Sequence, residues 1–204
     1  MIGWSVSHQE FTIEDHYYFS ILKNTIKYKL LNSIKEAWDC NVIVFNYPEK
    51  PFSKDEIDDI ISLVKMGKKV IALGYYMNED NVASILNELS LPFGLKMLPS
   101  AVIDNINSLQ NDPYLVITGK VKKFNEGVKR LLMPCVAPIE IIGGEGEPII
   151  LSEDSSSPPY QILGAYSRYG KGEFILIGTC VFWDNFSINQ FDNMQFSLNL
   201  LKFP

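Results

Sequence analysis

The stretch "NVIVFNYPEKPFSKDEIDDIISLVKMGKKVIALG", residues 41–74, decides the fold. It opens with the continuous apolar run Val42–Phe45, which is typical of a parallel strand buried on both faces. Ser53 and Glu56 then form the pattern of a capping box, and apolar residues recur behind them at the spacing of one helix face. A second strand is predicted at residues 68–74. A strand, a helix and a strand with short connections predict a right-handed crossover in a parallel sheet.

The same alternation extends to both sides of this stretch. On the N-terminal side, residues 1–6 and 27–31 are predicted strands that flank a helix at residues 12–26. On the C-terminal side, residues 78–90 are predicted to form a helix with Asn78 as its N-cap. The first half of the chain therefore predicts an α/β fold.

The second half has a different pattern. Between residues 96 and 160, short apolar runs alternate with Gly, Pro and Asn, and residues 153–159, "EDSSSPP", have the composition of a surface loop. Residues 162–178 predict a hairpin, and residues 191–203 predict a final helix. We interpret the β-rich segment, roughly residues 96–160, as an insert that extends one sheet within a single domain of residues 1–204.

Composition and charge argue against several classes of function. The net charge is −6, and the only arginines are Arg130 and Arg168, so no clustered basic surface for nucleic acid is expected. Three cysteines without CxxC spacing predict neither a disulfide framework nor a zinc site. The sequence has no signal-peptide pattern and no run of about 18 apolar residues, the length of a membrane span. We therefore expect a cytoplasmic protein with no membrane partner.

Four stretches, taken in order, carry a family resemblance. They are "SHQEF" at residues 7–11, the opening stretch, "GVKRLLMPCVAPIEI" at residues 127–141, and "YGKGEFILIGTCVFWDN" with "FDNMQFSLNLL" within residues 169–201. Together with the pattern P-x-x-x-F-S-x-x-E at residues 48–56, they resemble a class I glutamine-amidotransferase-like family of uncharacterised prokaryotic proteins. This family is related to the GIFT domain of intraflagellar-transport proteins. The resemblance covers nearly the whole chain and implies a flavodoxin-like α/β sandwich with a β-rich extension.

The resemblance also implies where an active site would lie. True amidotransferases carry a nucleophilic Cys on the sharp turn after a strand, and a His later in the chain activates it. Here the corresponding strand ends at Gly74 and is followed by Tyr75 and Tyr76, and no histidine follows His16. Because both groups are missing, we expect a pseudoenzyme without a cofactor, that is, a non-catalytic ligand-binding or protein-interaction domain.

Two other interpretations stay open. A hydrolase or transferase would need a rearranged cleft in which Cys180 meets His8, with Glu10 or Asp184 as the orienting carboxylate. Against it, a free cysteine is more often a buried apolar residue, and the nearby His and carboxylates lack the spacing of a metal site. The second interpretation is a purely structural interaction module, such as a homodimer, with an exposed aromatic patch and no small ligand.

The predicted binding site combines three loops that follow strands of the parallel sheet. Such loops meet at the carboxyl edge of the sheet, near the switch in strand order. The set is rich in amides, carboxylates and aromatic rings and poor in positive charge, which favours a neutral polar ligand, such as a sugar or an amide, over a phosphate. The predicted ligand-binding residues are His8, Gln9, Glu10, Tyr75, Tyr76, Asn78, Trp183, Asp184 and Asn185.

Overall fold

The computed structural model describes residues 1–203, which form four α-helices and 14 β-strands. The helices are α1 (His16–Thr25), α2 (Lys54–Lys65), α3 (Val82–Ser90) and α4 (Asn193–Leu201). The first strands are β1 (Ile2–Ser5), β2 (Tyr28–Leu31), β3 (Val42–Asn46), β4 (Lys69–Leu73) and β5 (Leu95–Met97). The short strands that follow are β6 (Ile103–Asp104), β7 (Leu115–Thr118), β8 (Lys120–Val121), β9 (Leu131–Pro134) and β10 (Ile139–Ile141). The last strands are β11 (Gly146–Leu151), β12 (Ser156–Ser157), β13 (Ile162–Tyr169) and β14 (Gly172–Ile177).

One large mixed sheet organises the chain. Its strand order is β2-β1-β3-β4-β14-β13-β10-β5, and β11 and β8 add to it beside β13. The neighbours β2, β1, β3, β4 and β14 pair in parallel, whereas β13 and β14 form an antiparallel hairpin. Every residue of β3 and β4 is buried, so both faces of the sheet are covered at its centre. The chain therefore has an α/β fold.

The strand–helix–strand unit forms as predicted, including the capping box of α2. Glu56 N donates to Ser53 Oγ at 3.3 Å, and Ser53 N donates to Glu56 Oε2 at 2.8 Å. The predicted hairpin also forms, and its turn contains Gly170 with φ of 62°. Glycine reaches this left-handed conformation without the steric penalty of a Cβ atom. Both features are local, which is why the sequence reveals them.

Two helices begin later than predicted. α1 begins at His16, because the side chain of Asp15 accepts hydrogen bonds from the first N–H groups of the helix. α3 begins at Val82, because residues 77–81 form a kink in which Asn78 and other residues have positive φ. Asn and Asp tolerate the left-handed conformation better than most residues, and a helix cannot continue through it.

The β-rich segment extends the main sheet only in part, which corrects the predicted single extension. β5, β8, β10 and β11 join the large sheet, but β6 pairs with β12 and β7 with β9 in two separate small sheets. The predicted surface loop at residues 153–159 contains β12. Within it Ser156 is buried, and its Oγ donates to Ser152 Oγ at 2.7 Å. Short polar side chains satisfy one another locally in this way, so composition alone does not show burial.

The carboxyl ends of β1, β3, β4 and β14 lie along one edge of the sheet, which we call the carboxyl edge. The connections that leave this edge are residues 6–15, 47–53, 74–81 and 178–192. The strand order reverses between β1 and β3, because the chain runs from β1 outward to β2 and then returns to the other side of β1. Ligand crevices of open α/β sheets form at such a reversal.

Candidate functional site

A cleft of about 270 Å³ opens at the carboxyl edge. Helix α1 and all four connections of this edge contribute side chains to it. We call it the aromatic cleft. Its lining consists of Phe11, Tyr18, Phe19, Tyr47, Tyr75, Glu79, Asp80, Cys180, Val181 and Asp184.

A row of aromatic rings runs through this lining. Phe11 stacks on Tyr47 with ring centroids 4.5 Å apart and planes 5° apart. Tyr75 meets Tyr47 edge-on at 5.8 Å, and Tyr18 lies on the other side of the row, 6.3 Å from Phe11. Phe11 and Tyr18 are 40% and 48% exposed, whereas Tyr47 is buried. The row therefore offers a large and rigid contact area whose outer rings face solvent.

Backbone hydrogen bonds hold two of these rings in place. Phe11 N donates to Asn46 O at 2.9 Å, and Trp4 Nε1 donates to Phe11 O at 3.0 Å, so Phe11 is fixed above the end of β3. Tyr47 N donates to Leu73 O at 3.0 Å, and Tyr47 has φ of 63°. A bulky residue at positive φ persists only where its surroundings enforce the conformation, and such residues cluster at functional sites.

Three carboxylates line the cleft, and none of the described lining residues is basic. Tyr47 Oη donates to Asp80 Oδ2 at 2.8 Å. Asp184 is 8% exposed, and its Oδ1 accepts from the N–H groups of Phe186 and Ser187, each at 3.0 Å. Burial raises the pKa of Asp184 to about 6, although the two N–H groups and the side chain of Ser187 act in the opposite direction.

The thiol in the cleft is unsuited to nucleophilic attack. Cys180 is buried, and burial raises the pKa of its thiol, so the sulfur stays protonated at neutral pH. Burial likewise raises the pKa of the Tyr47 and Tyr75 phenols, which therefore stay neutral. None of the described residues that line the cleft is a histidine.

The predicted residues of the first loop lie beside α2 rather than in the aromatic cleft. Gln9, with φ of 58°, reverses the chain and is exposed. His8 is buried against Phe52, with ring centroids 4.0 Å apart, and its Nε2 lies 3.4 Å from Glu56 Oε2. The N–H of His8 donates to Glu10 Oε2 at 2.6 Å. His8 and Glu10 therefore belong to the packing around the start of α2, whereas Gln9 is exposed outside the cleft lining.

Both predicted amides of the later loops form hydrogen bonds within the chain. Asn78 Oδ1 accepts from Ser84 N at 2.9 Å and so satisfies a free N–H group in the first turn of α3. Asn185 Oδ1 accepts from Ile21 N at 3.1 Å, and its Nδ2 donates to Tyr17 O at 2.6 Å. Asn185 thus holds residues 178–192 against α1, and neither amide is available to a ligand.

The remaining predicted residues lie at or near the cleft. Trp183 is fully buried beneath the carboxyl edge, where its Nε1 donates to Asn46 Oδ1 at 3.2 Å. Tyr76 borders the cleft through an edge-on contact with Tyr75 at 4.8 Å. Of the nine predicted residues, the structure brings Tyr75 and Asp184 into the lining.

Sequence reasoning missed the other rings of the cleft, namely Phe11, Tyr18, Phe19 and Tyr47. The available signal was position, because Tyr47 follows β3 directly and Tyr75 follows β4 after one glycine. An aromatic residue at a strand end is equally common in a core, so this signal becomes useful only once the strand order is known.

Residues 1–203 contain no group of three or more His, Cys, Asp or Glu side chains placed to hold a metal ion. No helix within these residues has the length and apolar character needed to cross a membrane.

Several solved structures share this fold. The mmIFT52 N-terminal domain matches with a TM-score of 0.83 at 14% identity, over 100% of this chain and 98% of that chain. A β-galactosidase from Rahnella sp. R3 matches with a TM-score of 0.59 at 13% identity, over 98% of this chain and 30% of that chain. A cytoplasmic protein from Salmonella typhimurium matches with a TM-score of 0.53 at 13% identity, over 89% of this chain and 82% of that chain. Identities this low show the fold alone, and the first match agrees with the predicted relation to the GIFT domain.

At the level of sequence, no family model matches the chain. An uncharacterised protein of Aquifex aeolicus (strain VF5) is 40% identical over 218 residues, which cover 98% of this chain and 92% of that protein. Identity of this extent along both chains leaves no large segment unmatched. The chain therefore belongs to the same family as this uncharacterised Aquifex aeolicus protein.

Proposed function

We propose that this chain is a non-catalytic protein-interaction domain on a flavodoxin-like, glutamine-amidotransferase-like fold, and that it binds its partner at the aromatic cleft. The strand order supports the flavodoxin-like part of the proposal, since the parallel strands run β2-β1-β3-β4-β14 and flavodoxin-like sheets run 2-1-3-4-5. Ligands of such sheets bind at the switch point between the first and third strands, and the aromatic cleft opens at that point.

The observation that carries the proposal is that this cleft lacks a nucleophile with a base. Tyr75 follows β4, where amidotransferases place their Cys, and its ring lines the cleft. Cys180 is a buried, protonated thiol, and His8 contacts Glu56 outside the cleft. A hydrolase or transferase centred on His8, Cys180 and Asp184 needs a thiol within reach of an imidazole, so this geometry gives it no support.

Exposed aromatic rings at the rim favour a protein as the partner. Tyr17 is 79% exposed and meets Tyr18 at 4.8 Å, and Tyr18 continues to Phe11. Contiguous exposed apolar area on a soluble domain commonly marks an interaction site, and Tyr is enriched among the residues that dominate binding energy. A cleft of about 270 Å³ is smaller than most drug-sized ligand pockets, which begin near 300 Å³, and suits one side chain of a partner.

A sugar or an amide ligand has less support than the sequence suggests. That expectation rested on amide side chains, but Asn78 and Asn185 are used within the chain and Gln9 lies outside the cleft. What remains in the lining is aromatic faces, neutral phenols and carboxylates.

Selection of a random-peptide display library against the wild-type domain tests the interaction role. We expect the recovered peptides to lose affinity by about tenfold or more on Tyr18→Ala, because truncation of this exposed tyrosine removes its contact area. Tyr160→Ala is the matched control, since Tyr160 is 60% exposed and packs with Lys120 away from the cleft. The interaction role is wrong if every recovered peptide binds Tyr18→Ala as tightly as the wild type.

Hydrolysis assays test the non-catalytic half of the proposal. We expect no release of ammonia from glutamine and no cleavage of a generic ester above the rate in buffer. Turnover by the wild type that disappears in Cys180→Ala would show that the buried thiol is catalytic after all.

A further inference from the structure

We propose that the aromatic cleft receives an arginine side chain of the protein partner, and that Asp184 is the carboxylate that pairs with it. This inference rests on the proposed function and specifies the chemistry of the partner.

The negative charges of the cleft have no positively charged partner among the described lining residues. Glu79, Asp80 and Asp184 line it, and none of the described lining residues carries a positive charge. Glu79 and Asp80 are exposed, and Asp80 accepts a hydrogen bond from Tyr47. Asp184 differs from both, because it is buried and only the neighbouring polar groups of Phe186 and Ser187 stabilise its charge. Buried carboxylates in folded proteins are usually paired with a cation, and none of the described residues that line this cleft is cationic.

The hydrogen bonds that Asp184 accepts within the chain do not require its negative charge. The N–H groups of Phe186 and Ser187 need one oxygen acceptor, and the amide oxygen of an asparagine provides the same acceptor without a charge. Burial of the ionised carboxylate is unfavourable. Ionisable groups whose pKa is shifted by burial cluster at functional sites, and Asp184 is such a group in the lining of the cleft.

The aromatic rings select the same class of ligand. The faces of Phe11, Tyr18, Tyr47 and Tyr75 carry negative electrostatic potential, which attracts cations and is worth about 0.5–2 kcal/mol for each well-placed contact. A guanidinium group is planar and weakly hydrated, so it stacks on such rings and presents two N–H groups to one carboxylate. An ammonium group is compact and strongly hydrated and fits this combination less well. Phosphate and other anions are repelled by the three carboxylates.

The cleft is also held in shape before any partner binds. Tyr47, Asp80 and Asn81 have φ of 63°, 51° and 61°, and the hydrogen bond from Tyr47 to Asp80 connects two of the connections at the carboxyl edge. Such backbone conformations are unfavourable outside glycine and are found at ligand-binding sites. The net charge of −6 further favours approach of a basic partner.

Two capped peptides, Gly-Gly-Arg-Gly-Gly and the same peptide with citrulline in place of arginine, test the assignment. Citrulline has nearly the shape of arginine but no charge, so the pair isolates the charge of the side chain. We expect the arginine peptide to shift the NMR signals of the Tyr18 and Tyr75 rings and to bind at least about tenfold more tightly than the citrulline peptide. Asp184→Asn should reduce the affinity for the arginine peptide to the level of the citrulline peptide.

Asp154→Asn is the matched control for this experiment. Asp154 is exposed and its side chain makes no hydrogen bond within residues 1–203, so its loss changes the net charge by the same amount without touching the cleft. Equal affinity for the two peptides, absence of a saturable shift with the arginine peptide, or full affinity in Asp184→Asn would each overturn the assignment. If library peptides still bind in a Tyr18-dependent way, the arginine assignment alone fails. If no library peptide depends on Tyr18, the proposed function fails as well.

Discussion

Asp184 lies in the lining of the aromatic cleft, where burial raises the pKa of its carboxyl group to about 6. An aspartate in an unfolded chain has a pKa near 3.9. Between about pH 4 and pH 6, the folded protein therefore binds more protons than the unfolded protein, and its free energy of unfolding falls as the pH rises. Above this pH range the folded protein carries the full free-energy cost of the buried charge, and below it this cost is absent.

Asp184→Asn should remove this pH dependence. We expect the variant to match the wild type near pH 4 and to exceed its free energy of unfolding at pH 8 by about 2 kcal/mol, measured by urea unfolding at both pH values. The control is Asp192→Asn, because hydrogen bonds from Arg130 N and Lys129 N lower the pKa of Asp192. That variant should lose stability at pH 8 relative to the wild type. A less stable Asp184→Asn protein at pH 8 would contradict the account of its burial.

Two of the nine predicted residues, Tyr75 and Asp184, lie in the cleft lining. Their positions in the sequence explain this only in part. Tyr75 and Asp184 follow β4 and β14, and neighbouring parallel strands bring such positions together. His8 also follows its strand closely, yet its ring stacks on Phe52 and lies 3.4 Å from Glu56 at the start of α2. The next residue, Gln9, has a positive φ, and such a conformation at a non-glycine residue leaves no mark in the sequence, so the position of His8 was not predictable.

At the scale of elements, the start of α2 is the feature that the sequence determines most directly. Its capping box uses residues three apart, so its hydrogen bonds do not depend on the rest of the fold. We expect Ser53→Ala to lower the free energy of unfolding by about 1 kcal/mol, measured by denaturant unfolding. Ser62→Ala is the control on the same helix, because Ser62 Oγ donates only to Asp58 O, whose bond within the helix remains. It should change stability by less than about 0.5 kcal/mol. Equal losses in both variants would rule out a specific contribution of the cap.

The start of α3 and the small sheets show why other elements were less predictable. Asn78 does satisfy an N–H group of α3, at Ser84, but it does so from a kink of left-handed residues that precedes the helix. The capping chemistry was visible in the sequence, whereas the length of the kink was not. Similarly, the pairings of β6 with β12 and of β7 with β9 join distant segments, and the period of a strand does not identify its partner.

At the scale of the whole molecule, the two halves of the chain share one sheet. Strand β14, from the C-terminal half, lies directly against β4. Its hairpin partner β13 then connects it to the β-rich segment. Lys69, on β4, extends this connection to the end of α4. Its Nζ donates to Lys202 O at 2.6 Å and Leu200 O at 3.2 Å and lies 3.5 Å from Glu173 Oε1. Burial lowers the pKa of Lys69, and the carboxylate of Glu173 partly compensates.

Because Lys69 joins early and late segments, we propose that residues 1–203 unfold as a single domain, and Lys69→Met tests this. The variant leaves the carbonyl groups of Leu200 and Lys202 without this donor, which should lower the free energy of unfolding by about 2–3 kcal/mol. In one cooperative domain, tryptophan fluorescence and far-UV circular dichroism report the same midpoint, and both midpoints fall together in the variant. Lys171→Met, at an exposed turn position, should leave both unfolding midpoints unchanged. Two separate transitions, with only one moved by Lys69→Met, would mean that the β-rich segment folds independently of the parallel strands.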